Sequence, residues 1–229
     1  MKSFIFKKFE IRQDKEVFRV GTDGVVLGAL SDGQRARHIL EVGSGTGLIA
    51  LMLAQRYPFA RLTALDINPK AFELTRLNFK NSPFSTRMEA IGADYKLYTP
   101  SLKYDLIVSN PPYFEAESAK DLIARHQVLL SFQQLISKST ELISDEGILS
   151  FIIPSDNTAR FTEVAQQKQL NLIRKVDIYG IAGGELKRNI LEFSKASSPL
   201  VLEQLTLEKS PRIYTDEYKA LTRNFHPMF

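Results

Sequence analysis

Asn110-Pro111-Pro112-Tyr113 stands one residue beyond the apolar run Asp105-Leu106-Ile107-Val108, at the end of a short buried strand. Average residue usage makes an Asn-Pro-Pro-aromatic tetrapeptide a chance event on the order of a few per thousand chains of this length, so a site is favoured over a plain rigid turn. An exocyclic or amide NH2 has its lone pair delocalised, which makes it a poor nucleophile toward an electrophilic methyl carbon. Such a nitrogen needs hydrogen-bond acceptors more than it needs a strong base. The Asn110 side-chain oxygen and the Pro111 carbonyl can each accept one N–H, holding the nitrogen in line and stabilising the positive charge that grows on it. Proline has no N–H, so Pro111 and Pro112 keep donors out of a pocket made of acceptors. Tyr113 offers a stacking face, which would recover part of the roughly few kcal/mol spent in turning a base out of its stack. Asn110, Pro111, Pro112 and Tyr113 are therefore the expected catalytic residues.

A second constellation is Glu41-Val42-Gly43-Ser44-Gly45-Thr46-Gly47, between the strand Ile39 to Val42 and the helical run Leu48 to Arg56. Glycine lets the backbone turn tightly and approach a ligand, and the following helix presents free N–H groups. The acid before the glycines, Glu41, suits a cationic ammonium or sulfonium better than a dinucleotide pyrophosphate. The next strand ends in Asp66-Ile67, where a carboxylate can accept both ribose hydroxyls, and the third in Gly92-Ala93-Asp94, where another can accept an adenine amine. Each acid taken singly reads equally as a helix cap or a surface charge. Together they fall on the carboxyl edge of the sheet, where open αβ sheets bind ligands, and they describe S-adenosylmethionine (SAM). The expected cofactor residues are Glu41, Gly43, Ser44, Gly45, Gly47, Asp66, Ile67, Ala93 and Asp94, with Asn110 beside the methyl group.

Several elements must position these residues. Strands at 39–42, 62–66, 89–91, 105–108 and 148–153 alternate with helices at 48–56, Pro69 to Asn81 (Asn68 as N-cap), 132–142 and 161–169, which predicts a mostly parallel, doubly wound α/β sheet. Strands at 172–179 and 190–193, joined through Ile181-Ala182-Gly183-Gly184-Glu185 without a helix, predict an antiparallel hairpin at one edge. Alternation on both sides of Gln13-Asp14 (Phe9 and Ile11, then Phe18 and Val20) predicts an N-terminal hairpin. The capping-type Thr22-Asp23-Gly24 then leads into a short helix, Val25 to Leu30. One domain over 1–229 is expected, with 1–38 as a hairpin-and-helix extension and 39–229 as the methyltransferase core.

Composition narrows the class. The 229 residues are 44% apolar and 24% charged, the balance of an ordinary globular protein. No run approaches the roughly 18 to 20 apolar residues of a bilayer span, and the apolar run at the start is too short for a signal peptide, so a cytoplasmic protein is expected. With no cysteine and three scattered histidines (His38, His126, His226), no metal site is expected. The net charge of +4 permits a polyanionic partner without demanding one.

The closing antiparallel pair resembles the topology of the class I, Rossmann-like methyltransferases. Asn-Pro-Pro-Tyr with the Glu-x-Gly-x-Gly-x-Gly loop resembles the amino-methyltransferases acting on adenine N6, guanine N2 or glutamine, over nearly the whole chain. The run Phe18-Arg19-Val20-Gly21-Thr22-Asp23-Gly24-Val25-Val26-Leu27, the segment Ala124-Arg125-His126 and the ending Ile213-Tyr214-Thr215-Asp216-Glu217-Tyr218 look like the bacterial tRNA1(Val) adenine-N6 methyltransferases, which modify adenine 37 beside the anticodon. The resemblance implies SAM as cofactor, a tRNA anticodon loop as substrate and a standalone Rossmann-like domain; a monomer is the expectation. In that family the Thr-Asp-Gly stretch closes over the cofactor, which adds Thr22 and Asp23 to the site, although both also suit plain helix capping. His126 reads as a packed or solvated histidine. Lys7, Lys8, Arg12, Lys187 and Arg188 are candidate phosphate contacts, though such basic residues are commonly just solvated surface. Protein glutamine methyltransferases usually add a helical N-terminal domain, and the roughly 38 residues before the first core strand count against that reading. Guanine-N2 rRNA enzymes often add a duplicated domain. A silent RNA-binding module would not need Asn-Pro-Pro-Tyr, and a nicotinamide dehydrogenase would favour a pyrophosphate loop.

Overall fold

The computed structural model describes residues 2–111 and 130–227. β1 (Lys2–Ile5) and β2 (Glu10–Gln13) form a separate antiparallel hairpin, followed by α1 (Thr22–Leu30). Then come β3 (His38–Val42), α2 (Leu48–Arg56), β4 (Arg61–Asp66), α3 (Pro69–Lys80), β5 (Met88–Gly92) and β6 (Tyr104–Ser109). After the undescribed stretch follow α4 (Phe132–Leu142), β7 (Ile143–Pro154), α5 (Thr158–Gln167), β8 (Asn171–Ile181), β9 (Leu186–Ser194), β10 (Val201–Ser210), β11 (Ile213–Tyr214) and α6 (Asp216–Thr222).

β3 to β11 make one nine-stranded sheet in the order β11-β10-β8-β9-β7-β6-β3-β4-β5. The strands from β7 through β6, β3 and β4 to β5 are parallel, as the alternation of strands and helices requires. Their side chains divide between two cores: Leu106 and Val108 of β6 join α1 and α2 on one face, while Ile107 joins Phe151, Phe161 and Phe193 on the other. Strands buried on both faces carry unbroken apolar runs, which is why they were readable. The N-terminus of α3 follows its residues as well: the Asn68 side chain accepts the Lys70 N–H at 2.9 Å and Pro69 occupies the first turn.

The expected antiparallel pair is present as β8 with β9, and the sheet continues past it. β10 adds to β8 in parallel and β11 turns back on β10, so the outermost edge is a second short hairpin. β10 escapes a pattern reading because Leu205 is its one buried apolar residue, while Val201 and Leu202 are exposed.

The N-terminal hairpin lies one strand earlier than the alternation suggests, with Phe4 opposite Ile11. Two turn residues decide this: Phe6 and Phe9 are buried and stacked at 4.6 Å, and the Phe6 N–H donates to the Phe9 carbonyl. Beyond β2 the Asp14 carboxylate accepts the Glu16 N–H, Val17 packs on Ala71 and Leu74 of α3, and Phe18 is left 76% exposed, so 14–21 is a strap and not a strand. Helix α1 starts at Thr22 with Gly21 as its N-cap and no side-chain cap bond, so Thr22 and Asp23 belong to its first turn. The hairpin is fastened at two places. The Lys7 N–H donates to the Phe225 carbonyl at 2.8 Å, and the Asn78 side chain of α3 both accepts the Arg12 N–H and donates to the Arg12 carbonyl. Among the described residues no helix is long and apolar enough to cross a membrane.

Candidate active site

A cleft of about 640 Å³ opens at the carboxyl ends of β3, β4 and β6, under the strap. Its floor is the glycine loop. After β3 the Gly43 and Ser44 N–H groups donate to the Leu65 carbonyl at 2.8 and 3.0 Å, and Gly43, Gly45 and Gly47 have φ of +73°, +55° and +76°. These are backbone conformations that favour glycine. The three positions differ in their surroundings. A Cβ on Gly43 would meet nothing within 4 Å and would project into open space, whereas one on Gly47 would lie 2.7 Å from the Phe79 ring. Gly43 is thus bare backbone in the cleft wall, while Gly47 is packed behind it and lies outside the lining.

Helix α3 supports the loop from the rear. The Thr75 hydroxyl donates to the Gly45 carbonyl and takes the Ser44 hydroxyl at 3.0 Å, and the Asn78 amide donates to the Thr46 carbonyl at 2.9 Å. These bonds brace the loop from within the fold.

Glu41 is 1% exposed, and its carboxyl accepts the Ala50 N–H at the start of α2, 3.0 Å away. Burial pushes its pKa up to about 8, with the Asp66 charge adding to the rise and the Ala50 and Ile49 N–H groups opposing it. Burial thus favours the neutral form of this carboxyl.

Asp66 ends β4 with both oxygens engaged by backbone: Oδ2 accepts the Gly45 N–H at 2.8 Å and Oδ1 the Asn68 N–H at 2.9 Å. Each oxygen keeps a second acceptor site, so Asp66 braces the glycine loop while it faces the cleft. Ile67 beside it is 51% exposed, an apolar surface on the rim. Asp94 caps the short turn Tyr95–Leu97 by accepting the Lys96 N–H, with the Lys96 ammonium 3.4 Å away, and Ala93 adjoins it in the lining. Ser44 also lines the cleft.

Asn110 emerges from β6 half-buried, with Pro111 buried, in the wall that also holds Glu41 and Asp66. The end of β6 is pinned by the Ser109 hydroxyl, which donates to the Val42 carbonyl at 2.8 Å. Pro112, Tyr113 and Ala124-Arg125-His126 lie outside the described residues.

Of the secondary candidates, Asp23 lines the cleft and its carboxylate accepts the Arg188 Nε–H at 3.0 Å, which brings Arg188 into the same wall. Thr22 is exposed and stands outside the lining. Lys187 projects to the surface and pairs with Glu185. The Lys7 ammonium donates to the Arg223 carbonyl, and Lys8 and Arg12 are exposed on the hairpin, away from the cleft lining. Residue type and spacing do not mark as site residues Phe18 and Arg19, which line the mouth, or Ser109, Thr75 and Asn78, which hold the walls. Thr75 and Asn78 stand three apart on one face of α3, a buried polar pair that a search for polar residues within an apolar stripe would find.

The methyltransferase small domain family matches residues 17–178. A protein of Flavobacteriaceae bacterium (strain 3519-10) named tRNA1(Val) (adenine(37)-N6)-methyltransferase is 50% identical to this chain over 99% of both sequences. One of the same name from Phocaeicola vulgatus is 40% identical over 97% of each. Among solved structures, a predicted O-methyltransferase of Agrobacterium tumefaciens superposes with a TM-score of 0.71 at 21% identity, over 89% of this chain and 96% of that one. An N-methyltransferase of Bradyrhizobium japonicum bound to S-adenosyl-L-homocysteine gives 0.53 at 18% identity, over 74% and 82%. At these identities the structural likenesses establish the Rossmann-like class I fold.

Proposed function

This chain belongs to the methyltransferase small domain family and, within it, to the tRNA1(Val) (adenine(37)-N6)-methyltransferases, and from that premise we propose that Asn110 presents the N6 amine of adenine 37 for methylation. The enzyme is a SAM-dependent methyltransferase; the substrate is the anticodon loop of tRNA1(Val). The observation that carries the reading is the placement of Asn110 in one cleft wall with Glu41 and Asp66.

Bound SAM supplies an electrophilic methyl group on a sulfonium, together with an ammonium, a ribose and an adenine to be held. The residues present fit those groups. Glu41 offers a carboxyl for the ammonium, and the backbone of Gly43, Ser44 and Gly45 leaves room for close approach. Asp66 has acceptor sites left for ribose hydroxyls, Ile67 an apolar face for adenine, and Ala93 and Asp94 a polar edge for its amine. Asp23 closes the far side through Arg188.

At the acceptor end, the Asn110 amide oxygen and the Pro111 carbonyl take the two N6 hydrogens. Each bond strengthens as the nitrogen becomes tetrahedral and positive, so both act chiefly on the transition state. SAM held by these residues would supply the methyl carbon, and the Asn110 oxygen and Pro111 carbonyl would keep the nitrogen in line with it, its extra proton leaving to water. Pro112 and Tyr113 complete the pocket in this proposal, Tyr113 by stacking on the extruded base. Arg188, with Lys187 and the outlying Lys7, Lys8 and Arg12, provides phosphate contacts. We further propose that 1–229 acts as a single domain, with 1–38 as extension and 39–229 as core, and works as a metal-independent monomer in the cytoplasm.

Incubating the protein with labelled SAM and unmodified tRNA1(Val) tests the function: digestion should yield N6-methyladenosine from position 37. Label on guanosine, or faster labelling of a glutamine peptide, would point to the guanine-N2 or glutamine-N5 alternative instead.

The state of Glu41 adds a second expectation. A cation placed beside this carboxyl lowers its pKa from about 8, so SAM binding expels a proton at neutral pH. Because the complex binds fewer protons than the free protein, affinity should rise with pH up to about 8. Calorimetry in two buffers of different ionisation enthalpy reads the proton directly, and Glu41→Gln should remove it. A buffer-independent enthalpy would place the ammonium elsewhere.

A further inference from the structure

At the amino edge of the sheet, opposite the cleft, Arg35 and Arg37 precede β3 while Phe59 and Arg61 stand at the entry to β4. Phe59 is 80% exposed, an unusual setting for an aromatic ring next to two well-packed strands. The Arg37 guanidinium lies over its ring, 6.0 Å from the centroid, and the Arg61 N–H donates to the Arg37 carbonyl at 2.8 Å, so Arg37 and Arg61 emerge at the same end of neighbouring strands. Arg35, Arg37 and Arg61 are all exposed and make no ion pair among the described residues. The neighbouring acids are engaged: the Asp105 carboxylate accepts the Arg37 and His38 N–H groups and the Ser144 hydroxyl, and Asp32 accepts the Gln34 N–H.

Three exposed arginines at this edge, one of them over an exposed aromatic ring, combine phosphate contacts with a stacking platform, which is the chemistry that binds unpaired bases in folded RNA. β3 and β4 have five and six residues, so at about 3.3 Å per residue the patch stands roughly 17 to 20 Å from the cleft through the sheet. That distance is short against a folded tRNA. An RNA with its anticodon loop in the cleft carries its stems and other loops outside it, free to follow the flank of the protein.

We propose that Arg35, Arg37, Phe59 and Arg61 form a second RNA-contact surface, which grips the substrate tRNA outside its anticodon loop; this rests on the tRNA reading above. The loop alone would then be an incomplete substrate, and part of the choice among tRNAs would be made far from the reacting base.

The test compares Arg37→Glu/Arg61→Glu and Phe59→Ala with wild type on full-length unmodified tRNA1(Val) and on its isolated anticodon stem-loop. The double reversal should raise KM for the full tRNA by about tenfold or more and flatten its salt dependence, with kcat little changed, since phosphate contacts act through counterion release. Phe59→Ala should raise it about threefold through the lost stacking face. KM for the stem-loop should not move in either variant, nor should SAM affinity or the thermal midpoint. If the stem-loop is too poor a substrate for kinetics, its affinity by filter binding takes the place of KM. An unchanged KM for the full tRNA, or equal rises for both RNAs, overturns the proposal. So does a self-association that the double reversal abolishes without touching tRNA binding, because the patch would then serve a second copy of the chain. Methylation of neither RNA by wild type would instead sink the tRNA reading on which the proposal stands.

Discussion

Replacing Asn110 with alanine should lower kcat for tRNA methylation by about a hundredfold or more, the loss typical for one preorganised polar group aimed at developing charge. SAM affinity should stay near wild type, because the amide is assigned to the acceptor nitrogen. The fold should tolerate the change: Asn110 is half-buried in the cleft wall, and the end of β6 is pinned independently by Ser109 on the Val42 carbonyl. Single-turnover rates at saturating SAM and tRNA, with calorimetry for SAM, separate the two effects. A variant that turns over near the wild-type rate would remove Asn110 from the chemistry. One that loses SAM and tRNA affinity but keeps its single-turnover rate would make it a binding residue only.

The second large effect separates two glycines that look alike in sequence. Gly47→Ala should cost about 2 to 5 kcal/mol of stability, the sum of left-handed strain at φ +76° and overpacking against Phe79, whose ring the new Cβ would approach to 2.7 Å. For a chain of this size that lowers the thermal midpoint by roughly 5 to 15 °C. Gly43→Ala bears similar strain at φ +73° but meets nothing within 4 Å, so the midpoint should fall by only a few degrees, about 1 to 2 kcal/mol. Its methyl group enters the cleft, and SAM affinity should drop at least tenfold. Unfolding scans and SAM titrations on both variants settle the assignment. The reverse pattern, with Gly43→Ala unstable and Gly47→Ala unable to bind, would mean that the two positions have exchanged roles.

The parts of the candidate site whose placement is legible in the sequence are those built from neighbouring residues. Glu41 and the glycines share one strand-to-helix turn, Asp66 and Asn110 each close a buried strand, and Asn68-Pro69 starts α3 where a cap and a first-turn proline must stand. Their types and their places at the strand ends suffice, because a parallel sheet brings all such ends to one edge. What was not legible joins distant stretches of chain. Arg188 reaches Asp23 across the cleft, and Asn78 reaches back to Arg12, contacts that no local pattern encodes. The N-terminal hairpin was misplaced for a similar reason. Alternation around Gln13-Asp14 is compatible with two pairings, and the burial of Phe6 and Phe9 against distant parts of the fold chooses between them. β10 depends on the presence of β8, since its own residues are mostly exposed.

The fastening of the hairpin has a consequence for the order in which competence is gained. Asn78 is the hinge pin: its amide holds the Thr46 carbonyl of the glycine loop and the Arg12 backbone at once, and the hairpin carrying Arg12 is closed by Lys7 on Phe225. A loop made of consecutive residues thus owes part of its rigidity to a contact that spans nearly the whole numbering, the kind that forms late in folding because its loop-closure entropy must be met first. The central parallel strands can assemble while the cofactor floor is still loose. By the same linkage, a partial opening that frees the segment around Phe225 is expected to loosen the hairpin and the glycine loop before the sheet itself melts, and hydrogen exchange at 43–47 against the strands β3 to β6 reads it.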